Sequence, residues 1–454
     1  MAMTKSDTTE KKAFGLWSAV FLGIGSMVGA GIFIVIGEAG AIAGNLVWLS
    51  FVFGGIAALL SGYSLAKLAI AYPSRGGIVE YLVQGFGEGI FSGSAAVLFY
   101  FSQLIAIAAV AKSFGTYAGT LMGGSHMANW YALGIVGFFT LINLLGASLV
   151  AKSENIIVFI KLSVLVLFTG IALFYINPKL LSVADMPPMK EMLFAVGLTF
   201  FAYQGFSVIT NTVEDMENPA KTMLRAMVIT ILLVGALYVL TSVAVLGNLT
   251  LPEVIKSQDY ALAQAAQPIF GTIGFKVMAV TALLATASAI NATLYAATEI
   301  GYTMAKDGEL PKVYSYNVFQ SFEGLIVSAL LIVPMILFLN LSEVTTIAAL
   351  VVLIIQGITH VGHLFRIKQT GASFVMVLLA VVAMFAIAAL TLYHTSQKMP
   401  DLGFYLMGAF VAAFGVEVTL RLVNHRTISK QTHKESLLSK IEDKIRERVS
   451  PKEK

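Results

Sequence analysis

Long apolar runs separated by short polar stretches repeat along nearly the whole chain. A helix that crosses a bilayer needs roughly 20 mostly apolar residues. On that measure the pattern predicts spans at 14–38, 45–71, 86–117, 129–150, 153–176, 191–212, 224–247, 272–303, 324–340, 344–365, 372–393 and 403–423, about twelve in all. Core helices of a soluble protein would keep polar faces, and few of these segments have one. The fold class is therefore all-α integral membrane. The first run, Leu16 to Ile36, exceeds the roughly 7–15 residues of a signal-peptide core, so it reads as a retained first helix.

Composition agrees. Of 454 residues, 57% are hydrophobic and 12% charged, about half the charge of an ordinary soluble domain. Cysteine is absent, which excludes disulfides and thiolate metal sites. The net charge of +4 could suggest nucleic acid, but the placement of the charges argues against such a partner. With the N-terminus inside, 22 Lys and Arg fall at cytoplasmic ends and in the two tails, and six fall outside (Lys112, Lys179, Lys190, Lys256, Lys276, Lys398). That asymmetry is the positive-inside pattern. Both termini are then cytoplasmic, in the cell membrane. One cation is left over, Lys161, inside a helix.

The chain divides into a cytoplasmic N-terminus (1–13), a first five-helix unit (14–176), a second (191–365), two further helices (372–423) and a charged tail (424–454). In the tail, Leu437, Leu438, Ile441, Ile445 and Val449 recur at helical spacing. They fit a solvated amphipathic helix, or one that meets a membrane surface or a partner.

Two helices look interrupted. Helix 1 reads Gly23-Ile24-Gly25-Ser26-Met27-Val28-Gly29-Ala30-Gly31, and each glycine costs about 1 kcal/mol of helix propensity relative to alanine. Close packing through small residues is one reading; a break lining a cavity is the other. Helix 6, with Gln204-Gly205 in the middle of its apolar run, favours the second. Helices 1 and 6 are five apart, so a repeated five-helix unit is inverted in its second copy. Interrupted helices at matching positions of inverted halves mark a transport site. Half-helix N-termini hold a carboxylate there, and freed carbonyls hold a cation or ammonium. A free amino acid has both groups.

Lys161 lies about 13 Å along its helix from Lys152, nearly halfway through a roughly 30 Å core. A charged lysine at that depth costs about 2.5–3.5 kcal/mol on the lenient insertion scale. It should face a cavity, find a carbonyl or lose its proton, and intramembrane ionisable groups are functional by default. Ser288, Asn291, Tyr295 and Glu299 form one stripe on helix 8, which ordinary interhelical hydrogen bonding would also explain. Tyr100 and Gln103 share a face of helix 3. His360 and His363 have no nearby carboxylate in sequence and read as ordinary residues, not metal ligands. Glu417 and Arg421 are an i, i+4 pair. No catalytic, phosphate-loop or zinc motif occurs, so the chain is not read as an enzyme and needs no cofactor beyond a coupling proton.

Several motifs together resemble the amino acid–polyamine–organocation superfamily. Gly25-Ser26-Met27-Val28-Gly29-Ala30-Gly31-Ile32-Phe33 is similar to its first-helix signature. Tyr72-Pro73-Ser74-Arg75-Gly76-Gly77 resembles its segment after helix 2. The runs Tyr203 to Asn211, Glu217 to Lys221, Ile290 to Tyr295 and Ala305 to Pro311 look most like an archaeal proton-coupled member. The resemblance implies the five-plus-five inverted-repeat fold with broken helices 1 and 6. It implies that Gly25 and Ser288 flank Lys161, whose ammonium takes the place of a sodium ion in sodium-coupled relatives. It also implies that 259–270 belongs to an extracellular lid.

Many relatives carry Glu where this chain has Ser207, and no acidic residue lies near the middle of helices 1, 3, 6 or 8. Neutral substrates are therefore favoured over cationic ones. The expected site places the substrate carboxylate on amides around Gly29, Ala30 and Gly31. Its ammonium meets carbonyls near Gly25 and Phe200 to Tyr203, with Ser26 and Asn291 alongside. Phe201 or Tyr203 closes the outer side. The rivals are an exchanger with a permanently charged Lys161, a sodium- or potassium-linked carrier, and a non-transporting nutrient receptor.

Overall fold

The computed structural model describes residues 14–29, 31–74, 76–145, 148–182, 187–306, 310–318 and 321–424. The expectations for the tail beyond residue 424 and for Ala30 lie outside these residues. Sixteen α-helices are described: α1 Leu16–Met27, α2 Gly31–Ala43, α3 Val47–Ala71, α4 Ile78–Phe86, α5 Ile90–Met122, α6 Ala128–Leu145, α7 Ser148–Phe174, α8 Met189–Tyr203, α9 Pro219–Leu246, α10 Leu251–Lys256, α11 Ala261–Lys306, α12 Glu323–Phe338, α13 Leu341–Leu364, α14 Ile367–Thr370, α15 Phe374–Lys398 and α16 Leu402–Asn424. Among the described residues the only paired strands are Asn317–Val318 and Ser321–Phe322.

Ten helical stretches are long and apolar enough to cross a membrane, and Leu16–Met27 and Glu323–Phe338 are shorter apolar helices. Together they account for the twelve spans expected. Many large side chains stay exposed on the outer faces, among them Phe159, Phe174, Phe338 and Phe404, as a surface solvated by lipid requires.

Helix 1 is two helices. α1 stops at Met27 and α2 begins at Gly31. Helix 6 changes differently. α8 ends at Tyr203 and the chain continues as a 3-10 helix over Gln204–Asp215 without an extended residue at the junction. The sequence suggested a simple interruption at Gln204-Gly205; the structure shows a change of winding. Runs of 3-10 helix longer than 3–4 residues are uncommon. Here three side chains favour the tighter turn by bonding the carbonyl three residues back: Ser207 to Gln204 (3.1 Å), Thr210 to Ser207 (2.7 Å) and Thr212 to Ile209 (2.8 Å).

α2 packs on α8, α1 packs on the 3-10 segment and on α9, and α11 packs on α5 and α7. The interrupted helices therefore lie side by side at the centre of the bundle. Two glycines with positive φ shape its ends. Gly77 (φ 53°) starts α4 close to Asn211, where a methyl would stand 2.6 Å from the Asn211 amide oxygen. Gly271 (φ 65°) bends α11 and separates 261–270 from the long part that crosses the bundle. With α10 and the turn Gln258–Tyr260, residues 261–270, the segment expected to be a lid, pack over α2.

Candidate substrate and coupling site

Stopping α1 at Met27 frees the carbonyls of its last turn, which must find donors elsewhere. Lys161 supplies one. Its Nζ donates to the Gly25 carbonyl at 3.0 Å, and the side chain is 1% exposed. Tyr238 of α9 supplies another, donating to the Met27 carbonyl at 2.6 Å while lying 3.3 Å from the Ala202 carbonyl. One hydroxyl thus bridges the end of α1 and the end of α8. The sequence reading missed Tyr238 because nothing in the apolar pattern of helix 7 marks it.

The backbones approach very closely here. A methyl on Gly31 would stand 2.6 Å from the Ala202 carbonyl oxygen, and one on Gly205 would stand 2.6 Å from the Met27 amide nitrogen. On Gly29 it would stand 3.2 Å from Ala289 of α11. Gly31 of the first-helix motif and Gly205 of helix 6 are therefore spacers that bring the two segments into backbone contact, while Gly29 makes room for α11. The N-terminus of α2 and the C-terminus of α1 converge beside the junction of α8 with the 3-10 segment. Amides and carbonyls with opposite dipole ends face one small region, which suits a molecule with an anionic and a cationic end.

The other expected residues separate into groups. Phe200 and Phe201 are buried in α8, just before the junction. Tyr203 is buried against α3 and α9. Its hydroxyl donates to the Phe51 carbonyl at 2.9 Å and its ring leans on Tyr238, centroids 5.3 Å apart. That anchoring ties Tyr203 to α3 and α9. Ser26 is exposed although it lies at the end of α1 inside the bundle. Ser288 is buried on α11, which packs on the helix that carries Lys161. Asn291 is buried and accepts from Asn143 Nδ2 of α6 at 2.8 Å, a partner the sequence pattern did not reveal. The stripe on helix 8 then turns outward, with Tyr295 53% exposed and Glu299 exposed. Tyr100 belongs to another contact: its hydroxyl pairs with Ser328 at 2.6 Å. Half-buried Gln103 donates to Ser102 at 3.3 Å.

A buried polar chain runs from the helix 6 junction. Gln356 Nε2 donates to Gln204 Oε1 (2.9 Å), Ser61 donates to Gln356 Oε1 (2.6 Å), and His360 Nε2 pairs with Ser61 (2.9 Å). His363 sits between Ser64 (2.7 Å) and Thr370 (2.8 Å). Each histidine has a hydroxyl partner, His360 through Nε2 only, and no cluster of three metal-ligating side chains occurs among the described residues. Glu417 and Arg421 pair at 2.6 Å against α5, where Gly93 leaves room for the carboxylate.

The two ends of the bundle differ. On the lid end, the Gln258 carbonyl lies directly on Gly37 of α2, and Val254 lies on Gly40. Tyr117 of α5 donates to the Phe33 carbonyl at 3.1 Å, and α2 is buried through most of its length. On the opposite end, Ser26, Asn211, Ala292 and Tyr295 are exposed. The central region is sealed under the lid and more open toward the N-terminal side.

Comparison with known proteins bears on this arrangement. A family model described as amino acid permease matches residues 14–417. The inner membrane transport protein YbaT of Escherichia coli is 37% identical over 357 residues, 78% of this chain and 83% of that protein. An uncharacterised protein of Methanocaldococcus jannaschii is 34% identical over 433 residues, 94% of this chain and 99% of that one. The serine/threonine exchanger SteT of Bacillus subtilis is 27% identical over 316 residues, 68% of this chain and 72% of that protein.

Proposed function

The chain belongs to the amino acid permease family and is a multi-pass membrane transporter, not an enzyme; from that premise we propose that it carries neutral amino acids by proton-coupled symport with alternating access. The observation that carries this reading is the Lys161 ammonium on the freed Gly25 carbonyl, at 3.0 Å and out of water. A cation held at the end of a broken helix occupies the position where a metal ion would otherwise satisfy that carbonyl. Losing the proton would turn a charge-assisted bond into a weaker neutral one and loosen the end of α1, which couples binding of a proton to packing of α1.

The substrate carboxylate would lie on the first amides of α2, near Gly31, and the ammonium on carbonyls at the ends of α1 and α8. Phe201, whose neighbour Tyr203 is tied to α3, would shield the outer side. With both termini cytoplasmic, the lid faces outward and the described conformation opens inward. The driving force is about 2.3 kcal/mol per charge per 100 mV. At about 1.4 kcal/mol per factor of ten, one proton would sustain roughly a fortyfold gradient at that potential.

The second reading is an exchanger in which Lys161 stays charged, favoured by the name of one relative, a serine/threonine exchanger. Uptake of radiolabelled alanine, serine and glutamate into proteoliposomes separates them. Symport predicts stimulation by an inward proton gradient in the wild type and none in Lys161→Ala. Uptake that ignores the gradient but needs amino acid inside the vesicle shows exchange. A protein that binds amino acid and moves none fits the receptor reading.

A further inference from the structure

Glu38 is a carboxyl with no role in the mechanism above. It lies in α2, seven residues beyond Gly31, and is 4% exposed. Its Oε1 has no hydrogen-bond partner. Asp259 and Ser342 stand beside it. Asp259 belongs to the lid turn Gln258–Tyr260, whose backbone presses on Gly37, the residue before Glu38. Lid closure therefore brings the partly buried Asp259 beside the buried Glu38, at a surface that must part whenever the lid lifts.

The groups around the pair do not neutralise it directly. Lys112 of α5 is within electrostatic range of Asp259 and of Glu343 at the start of α13, but its ammonium donates to Asn129 (2.9 Å) and to the Ile336 carbonyl (2.8 Å). Tyr117 of α5 is near Asp259 and donates to Phe33. Glu343 caps its own helix through the Asn340 amide. Glu253 of α10 is bound to Thr250. Lys256 points to solvent, and Tyr260 packs on Phe275. Two neighbouring carboxyls, one of them buried, favour a proton held between them, because the doubly charged state is repelled and poorly solvated.

We propose that Glu38 and Asp259 form a proton-holding clasp: the lid closes on α2 by taking up one proton from the medium on the lid side, and opens by releasing it. The step is balanced, with one proton bound to the pair and none transferred to substrate. It rests on the reading that the chain alternates access, and it adds a second proton site, distinct from Lys161, that senses the outer medium. Acid closes the lid and alkali loosens it.

The absence of native cysteine makes the test direct. Ser257→Cys reports the lid, since Ser257 is 3% exposed in the closed form, and Ser396→Cys, on an exposed site, is the reference for reagent chemistry and folding. Labelling by a charged maleimide is followed in nanodiscs over a pH series from about 4.5 to about 8, which begins near the ordinary carboxyl range and extends well above it. Relative to the reference, the lid cysteine should label several-fold more slowly in acid. Glu38→Gln, which mimics the protonated clasp, should be slow throughout the series; Asp259→Asn provides the same test from the lid side. A normalised rate independent of pH, or a pH response preserved in both variants, overturns the clasp. Uptake by the same proteins in proteoliposomes keeps the outcomes apart. Uptake with pH-blind labelling removes the clasp alone, and a pH-sensitive lid without amino acid uptake removes the transport reading alone.

Discussion

The hydroxyl of Tyr238 donates to the carbonyl of Met27 at 2.6 Å, joining α9 to the last residue of α1. The same oxygen lies 3.3 Å from the Ala202 carbonyl, so one side chain serves two broken helices. Tyr238→Phe would keep the ring packing against Phe51 and Tyr203 while leaving buried carbonyls without a donor. An unsatisfied buried group costs about 1–3 kcal/mol. We expect a folded protein with a lower melting temperature in detergent and a reduced maximal uptake rate. Unchanged uptake would mean that the bridge is dispensable for the transport cycle.

Gly31 and Gly205 face backbone, which cannot rotate away. Gly31→Ala would press on Ala202, and Gly205→Ala on Ser26 and Met27. Overpacking of this kind costs about 1–3 kcal/mol. Both variants should lose most uptake. Gly134→Ala, at a site with open space around it, should retain it. Initial rates normalised to reconstituted protein make the comparison.

Much of this was legible in the sequence, for particular reasons. Helix number followed from apolar run length, because lipid leaves a helix no other way to satisfy its backbone. Lys161 stood out because a charge inside an apolar run is costly. The glycines of helix 1 signalled a break, although not that Gly31 would rest on Ala202. Tyr238, Asn143 and Glu38 were not legible. Each looks ordinary in its own helix and matters only through a partner distant in sequence: Met27, Asn291 and Asp259. The 3-10 winding after Tyr203 was also hidden, since its cause is a pattern of hydroxyls bonding three residues back.

Gln356 links the helix 6 junction to α3 through Gln204 and Ser61. Gln356→Leu would take the donor from Gln204 and leave Ser61 with His360 alone, whereas Gln356→Glu could still accept from Ser61. The first should raise the apparent KM for alanine more than it lowers the maximal rate, because Gln204 loses its position beside Gly205. Full kinetic curves at fixed proton gradient provide the check. A fall in maximal rate alone would assign the chain to the conformational step instead.

The lid helix carries its own pH dependence. Hydrogen bonds from the Thr250 hydroxyl and amide hold the Glu253 carboxyl below its usual range. A depressed carboxylate stabilises the closed cap above its unfolded pKa, and that contribution is lost as pH falls through the folded value. Glu253 is largely exposed, so the effect is small and screened by salt. Thr250→Ala removes the cap at a cost of about 0.5–2 kcal/mol. Faster amide exchange over Leu251–Lys256 at neutral pH is expected, and the wild type should approach that rate only in acid.

The proposed preference for neutral substrates rests on Ser207. It is half-buried after the helix 6 junction, and its hydroxyl donates to Gln204. A second cationic group on the substrate would lose water near it and meet no counter-charge, a loss that a carboxylate could offset. Excess arginine or lysine should therefore leave wild-type alanine uptake unchanged. Ser207→Glu should let arginine compete, with neutral uptake reduced by about tenfold, equivalent to about 1.4 kcal/mol. Ser207→Gln, of similar size without the charge, should gain no arginine competition, which separates counter-charge from simple widening of the site. Competition by arginine in the wild type would show that cationic substrates find their counter-charge elsewhere, and the preference for neutral amino acids would fall with it.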